Sequence, residues 1–319
     1  MFTRKLGRSD IEVSALGLGC WTIGGAAWRG ERANGWAGVE DADSIRAIHR
    51  ALDLGLTFFD TADVYGAGHS ETVVGQALAG KWDQVVVATK FGNCFDPRDK
   101  QIAGEDASPA YIRKACEASL KRLGTGVIDL YQLHLGNLGR DAALAARETL
   151  EELVQAGKIR YYGWGTDDPD NARLFAEGKH CTSIQHRLNL FEGNPKVLDV
   201  CDQFNLASIN RTPLSKGLLT GRFDADTTFP KDDVRYGWNL KEGQMAEWLK
   251  RLDGIKEILT AGGRTLAQGA LAWIWARNPH TIPIPGFRNA QQIEENAQAM
   301  AFGPLTPAQM KEIEGILGR

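Results

Sequence analysis

The sequence has no Cys-x-x-Cys pair, and its five cysteines, Cys20, Cys94, Cys116, Cys181 and Cys201, are scattered and odd in number. This excludes a disulfide framework or zinc site and leaves reduced packing residues, with Cys20 and Cys94 expected near the rim of the fold. Long apolar runs are missing, so no segment has the length a bilayer span requires. Met1-Phe2-Thr3-Arg4-Lys5 leads into a strand rather than a signal-peptide core, which points to a cytoplasmic protein. Excess positive charge is lacking too: the formal net charge is −3, without the bulk field that nucleic acid or an anionic membrane surface would need. The dinucleotide fingerprint Gly-x-Gly-x-x-Gly is absent, because Gly17-Leu18-Gly19-Cys20-Trp21-Thr22 lacks the third glycine and no helical pattern follows before about Asp41. That argues against an open doubly wound sheet. Linkers, low-complexity tracts and repeats are also lacking, so residues 1–319 read as one domain.

What is present is an alternation of strand and helix. Apolar residues at 43% and charged residues at 24% are ordinary for a protein with a large core. Residues 2–13 read as a β-hairpin around Leu6-Gly7-Arg8-Ser9-Asp10. Strand-like runs then fall at 15–19, 57–60, 85–90, 127–133, 159–164, 181–185, 206–210 and 281–284. Helical periodicity separates them, as in Ile45, Ile48, His49 and Leu52, or Ile112, Ala115, Cys116, Leu120 and Leu123. Ser108 before Pro109 marks a helix start and Gly124 a stop. Eight such units predict an α/β fold, a (β/α)8 TIM barrel with an N-terminal β-hairpin.

Three of the strands end in a reactive group. Phe58-Phe59-Asp60 opens into the loop that carries Tyr65, Val85-Val86-Val87-Ala88-Thr89 ends in Lys90, and Ile128-Asp129-Leu130-Tyr131-Gln132-Leu133 ends in His134. Parallel strands place their C-terminal ends on a common rim, so these groups can converge. A lone Asp, Lys or His at a strand end is more often a cap or an ion pair. The four together, in these strings, resemble the active-site tetrad of the aldo-keto reductase family, of the short-loop bacterial type similar to potassium-channel β-subunits. The resemblance implies catalytic roles for Asp60, Tyr65, Lys90 and His134.

Two further stretches suit phosphates. Arg211-Thr212-Pro213-Leu214-Ser215-Lys216-Gly217-Leu218-Leu219-Thr220-Gly221-Arg222 follows the seventh strand with hydroxyls, glycines and cations. Ile284-Pro285-Gly286-Phe287-Arg288-Asn289 follows the eighth and turns into a helix whose N–H groups and dipole attract anions. Arg288 suits a 2′-phosphate, and Gln292, Glu295 and Asn296 share a helix face suited to adenine and ribose. Both strings resemble the family's cofactor segments, which implies NADP(H), with NADPH preferred over NADH. The contacts implied are Trp21, Thr166, Gln185, Arg211, Pro213, Leu214, Ser215, Gly217, Leu219, Arg222, Gly286, Arg288, Gln292, Glu295 and Asn296.

The chain departs from many members at three points. Gly165-Thr166 stands where a serine and an asparagine are usual, Arg211 where an aromatic stacks on the nicotinamide, and Gln292 where an arginine meets the adenosine phosphate. Arg211 could stack as a planar group or form a salt bridge.

The long loops at 21–40 and 222–244 carry Trp21, Trp28, Trp36 and Trp238, the candidate substrate-binding residues. No metal site is expected. The implied reaction is reduction of aldehydes or ketones, with hydride from the nicotinamide and a proton from Tyr65. Lys90 is expected to lower the Tyr65 pKa, which in a free phenol is about 10. Three alternatives stand beside it: a sugar 1-dehydrogenase working oxidatively, a cofactor-binding sensor or partner subunit with little turnover, and a phosphate-binding barrel lyase or isomerase, which fits the anion site but not the tyrosine and lysine. The oligomeric state is open.

Overall fold

Two short strands begin the architecture, β1 (Thr3–Lys5) and β2 (Glu12–Ser14), paired antiparallel in a computed structural model that describes residues 2–319. Their link turns at Gly7, φ 59°, where an added Cβ would lie 2.2 Å from the Thr182 carbonyl oxygen. Only glycine allows so close an approach in that conformation. Leu6, Ile11 and Val13 thereby plug one end of the barrel, packed with Phe58, Val86, Leu130, Ile209 and Ile282.

The first barrel strand is β3 (Gly17–Gly19), followed by a small hairpin of β4 (Trp28–Arg29) and β5 (Arg32–Ala33). Next come α1 (Asp41–Asp53), β6 (Phe58–Asp60), α2 (His69–Leu78) and β7 (Val86–Phe91). A second hairpin, β8 (Asn93–Asp96) with β9 (Gln101–Glu105), precedes α3 (Pro109–Leu123) and β10 (Ile128–Leu133). The alternation continues with α4 (Arg140–Gln155), β11 (Ile159–Gly165), α5 (Pro169–Ala176), β12 (Cys181–Arg187), α6 (Pro195–Phe204) and β13 (Ala207–Arg211). Helices α7 (Gly243–Thr260) and α8 (Leu266–Arg277) separate β13 from β14 (Thr281–Pro283), after which come α9 (Ala290–Phe302) and α10 (Pro307–Leu317).

Strands β3, β6, β7, β10, β11, β12, β13 and β14 lie side by side in that order, every neighbour parallel. The Gly19 N–H donates to the Pro285 carbonyl at 2.9 Å and Gly19 bridges Gly286, so the first strand meets the last. This is the expected (β/α)8 barrel, with all eight expected strands in place. Helix α3 starts as the sequence predicts: the Ser108 hydroxyl accepts from the Tyr111 N–H at 3.3 Å, and Gly124 ends it at φ 72°. Among the described residues no helix is long and apolar enough to cross a membrane.

Two features differ from expectation. The buried stripe of α1 is Ser44, Ala47, Ile48 and Ala51, with His49 exposed and Ile45 and Leu52 only half-buried. Small side chains face inward because α1 packs closely on α2 and α9. The other is a four-stranded sheet, β5-β4-β9-β8, built from the segments after the first and third barrel strands. Its strands are two to five residues long, too short to show alternation, and β4 is recruited by pairing Trp28 with Gln101 across the mouth.

Candidate active site

At the C-terminal rim, Asp60, Lys90 and His134 converge from β6 and from the ends of β7 and β10, and Tyr65 joins them from the loop after β6. Gly66 makes this loop possible: at φ 61°, an added Cβ would lie 1.9 Å from the Gly24 carbonyl oxygen. That contact brings the segment after β3, with Trp21, against Tyr65, whose ring centroid lies 6.1 Å from that of Trp21.

The fully buried Lys90 Nζ donates to Asp60 Oδ1 at 2.5 Å, to the Thr61 carbonyl at 2.7 Å and to the Tyr65 hydroxyl at 3.2 Å. Asp60 Oδ2 in turn accepts from Gln132 Nε2 at 3.1 Å and Gln185 Nε2 at 2.7 Å. Burial opposes charge on Lys90, but the Asp60 carboxylate and the Tyr65 hydroxyl outweigh it and raise its pKa above the ordinary lysine value. Lys90 is therefore an ammonium whose direction is fixed by three acceptors.

On Tyr65 the expected downward pull of Lys90 is present but does not prevail. Burial raises the phenol's pKa, Lys90 offsets only part of that rise, and the net shift is upward. A raised value keeps the hydroxyl protonated at neutral pH, as proton donation requires. His134 sits edge-on to Tyr65, centroids 5.7 Å apart at 83°. Burial, with Lys90 and Arg211 nearby, holds its pKa well below the usual imidazole value. It is thus neutral and carries one N–H with which to polarise an oxygen placed beside the Tyr65 hydroxyl.

Tyr65 and His134 line a cavity of about 560 Å³. Trp21 and Trp36, packed edge to face with centroids 5.4 Å apart, line it as well. Arg211, Pro213, Leu214, Gly217 and Arg222 from the loop after β13, and Gly286, Arg288, Gln292, Glu295 and Asn296 from the segment after β14, also line it, with Gln185 on the surface too. The structure thus brings both phosphate-suited loops to one cavity with Asp60 and Tyr65. Thr166, Ser215 and Leu219 are buried off the lining, and Thr166 donates to the Gly136 carbonyl at 2.8 Å. Trp28, on β4, and Trp238, packed on Phe229 with centroids 5.8 Å apart, also lie off it.

Several expected cofactor groups have partners of their own. Arg211 is ion-paired with Asp167, the salt bridge of its two readings, while remaining on the cavity wall. Arg222 pairs with Glu295 at 2.7 Å, and Arg288 approaches Asp233 at 3.4 Å and stands 5.6 Å over the Trp36 ring. Cys20 is the packing residue expected: it directly follows β3, is fully buried, and burial together with Asp60 pushes its thiol pKa up, leaving it inert.

Sequence reasoning missed Arg29, Asn34, Asn93 and Arg235, all on the cavity surface. Arg235 is held by Asp233 and lies 4.3 Å over Phe229 and 4.8 Å over Trp36. The Val234 N–H donates to the Gly35 carbonyl at 2.9 Å, tying the 222–244 loop to the 21–40 loop. No local pattern announces such loop-to-loop contacts.

With barrel, tetrad and cavity in view, comparison with known proteins settles the class. The sequence profile of the Aldo/keto reductase family matches residues 15–317. The chain belongs to that family, whose members are NAD(P)H-dependent oxidoreductases, and is an enzyme of this kind. It is 33% identical over 321 aligned positions to the aldo-keto reductase yakc [NADP(+)] of Schizosaccharomyces pombe, covering 98% of this chain and 90% of that protein. Among solved structures it resembles the glycerol dehydrogenase AKR11B4 from Gluconobacter oxydans, at 34% identity and TM-score 0.85, with 99% of this chain and 95% of the other covered. An aldo-keto reductase from Klebsiella pneumoniae in complex with NADPH is similar at 27% identity and TM-score 0.72, with coverage of 99% and 95%.

Proposed function

We propose that this protein acts in the cytoplasm, as one barrel domain, reducing aldehydes and ketones to alcohols with NADPH and drawing the proton from Tyr65. The observation that carries the reading is the Lys90 contact to the Tyr65 hydroxyl at 3.2 Å, with Lys90 held by Asp60 at 2.5 Å and a neutral His134 alongside. The donor set fits a phosphorylated dinucleotide. Thr212 has a buried hydroxyl without a partner beside the cavity, Gly217 turns there at φ 100°, and Arg222 and Arg288 also line it. Arg288, with only a long contact to Asp233, would grip the 2′-phosphate and favour NADPH. Gln185, Arg211, Pro213 and Leu214 would line the path toward the nicotinamide.

When bound, the nicotinamide supplies the hydride that reaches the carbonyl carbon. The oxygen needs a proton in the same step, or negative charge accumulates on it. Tyr65 is placed to give that proton and regain one from solvent. Lys90 stabilises the phenolate left behind, and Asp60 keeps Lys90 charged and pointed at the hydroxyl. His134 orients the carbonyl by donating its one N–H to the oxygen, a dipole set in advance of the charge it meets. Trp21 and Trp36 hold the organic part of the substrate.

The same groups serve the oxidative direction, with Tyr65 as base assisted by Lys90. The aromatic walls suit the faces of polyols and sugars, and the similar Gluconobacter protein is described as a glycerol dehydrogenase, which supports this as the second reading. Titrating the purified protein with NADPH and NADH by fluorescence, then following reduced-cofactor absorbance with aldehydes, ketones and aldoses, tests both. Tight NADPH binding with carbonyl-dependent oxidation supports the reductase, whereas turnover only of alcohols or sugars with NADP+ supports the dehydrogenase. Tight binding without turnover in either direction favours a sensor.

A further inference from the structure

The reaction described above gives Arg29 no task. It lines the cavity from β4, and its Nη2 donates to Asn93 Oδ1 at 3.0 Å. Asn93 is fully engaged: its Nδ2 donates to the His134 carbonyl at 3.2 Å, and its own carbonyl accepts from the Tyr111 hydroxyl at 2.9 Å. Arg29 is therefore anchored on the cavity surface through Asn93, which also holds the His134 backbone carbonyl. Among the described residues no carboxylate pairs with it.

Lys216, from the loop after β13, stands 5.7 Å over the Trp21 ring and likewise has no carboxylate partner. Its ammonium is disfavoured by burial and by the nearby cations Arg187, Arg32 and Arg211. Elsewhere on the cavity Arg211, Arg222 and Arg235 each have an acidic partner. Among the described residues two cations on the cavity surface, Arg29 beside Asn93 and Lys216 over Trp21, thus have no carboxylate partner, in a chain whose formal charge is −3. A cleft lined by one sign of charge attracts the opposite sign, and a guanidinium fork matches carboxylate and phosphate oxygens.

We propose that the preferred substrates are carbonyl compounds bearing an anionic group, a carboxylate or a phosphate a few atoms from the reacting carbon, and that Arg29 is the residue that recognises it. This rests on the reductase reading and specifies its substrate class. Arg29 is a specificity-determining residue rather than a catalytic one, because the carbonyl itself lies with Tyr65 and His134. Lys216 could also serve the cofactor pyrophosphate, so the test is placed on Arg29.

The test compares kcat/KM for matched pairs: butanal with 4-oxobutanoate, and glyceraldehyde with glyceraldehyde 3-phosphate, for the wild type, Arg29→Leu and Arg29→Lys. The wild type is expected to prefer the charged member of at least one pair by roughly tenfold or more, mainly through KM, as one charge-assisted contact allows. Which pair responds tells carboxylate from phosphate. Arg29→Leu should erase the preference and Arg29→Lys retain part of it, with NADPH affinity in both within about twofold of wild type. A wild type indifferent to charge, an Arg29→Leu variant that keeps the preference, or one that loses NADPH affinity would overturn the assignment. If neither member of either pair is reduced, the reductase reading falls and this inference with it, whereas reduction without preference overturns this inference alone.

Discussion

The two ends of the barrel are built on opposite principles. At the hairpin end Leu6, Ile11 and Val13 fill the interior against Phe58, Val86 and Ile282. At the other end lie the buried or largely buried ionisable groups: Asp60, Lys90, Tyr65 and His134, with Asp63 and His186 close behind. Backbone conformation follows the same division. Of the non-glycine residues at positive φ, Ala67, Thr212, Ser215 and Lys216 belong to the loops around the cavity and Lys100 to the turn between β8 and β9, whereas Asn205 caps α6 at the far end, as asparagine readily does. Positive-φ side chains and buried charge thus gather mainly at the end that has chemistry to perform, and apolar packing dominates the other, where Asp129 paired with Arg160 is an exception.

Substitutions at the two ends should therefore fail in different ways. The largest effect is expected for Lys90→Met, which removes the partner of both Asp60 and Tyr65. Turnover should fall by roughly 10²–10⁴, and the unpaired Asp60 carboxylate should cost about 3–5 kcal/mol of stability by urea unfolding. Loss of stability with normal turnover would break the division. Phe58→Ala, at the plugged end, should cost about 3–5 kcal/mol while kcat per folded molecule stays near wild type. A selective loss of kcat there would mean that the plug shapes the site.

His186 sharpens the comparison with pH. It is fully buried, its Nε2 lies 2.7 Å from Ser208 Oγ, and burial lowers its pKa to about 4. The unfolded chain takes up its proton near the ordinary value of about 6.5 and the folded one does not, so this group withdraws stability as pH falls from about 6.5 toward 4. The stability deficit of His186→Gln relative to wild type should shrink across that window by about 3 kcal/mol at most. A deficit independent of pH would show that His186 is already charged in the fold. The smallest effect is expected for Arg288→Leu, which should weaken NADPH by about 10- to 100-fold in fluorescence titrations and leave NADH unchanged, the yield of one or two charge-assisted hydrogen bonds. Equal weakening of both cofactors would remove Arg288 as the 2′-phosphate determinant.

The same division decides how much the sequence disclosed. Each barrel strand is a short apolar run bounded by turn residues, so all eight were legible, and Asp60, Lys90 and His134 were legible as the polar residues that terminate three of them. Tyr65 was legible through its place after Asp60. Arg29, Asn93 and Arg235 were not, because they reach the cavity through the pairing of Trp28 with Gln101 and of Val234 with Gly35, contacts between segments far apart in sequence. Partners such as Asp167 for Arg211 and Asp233 for Arg288 are likewise set by how loops pack, which periodicity does not encode. The downward pull of Lys90 on the Tyr65 pKa was legible because its charge is visible in the sequence, whereas the burial that outweighs it exists only in the fold.

The most direct measurement is NADPH affinity and aldehyde-dependent NADPH oxidation in wild type and Tyr65→Phe, side by side. The account predicts affinity within about twofold and turnover lower by roughly 10²–10⁴, because the ring remains and only the proton is lost. Near wild-type turnover in Tyr65→Phe would contradict it.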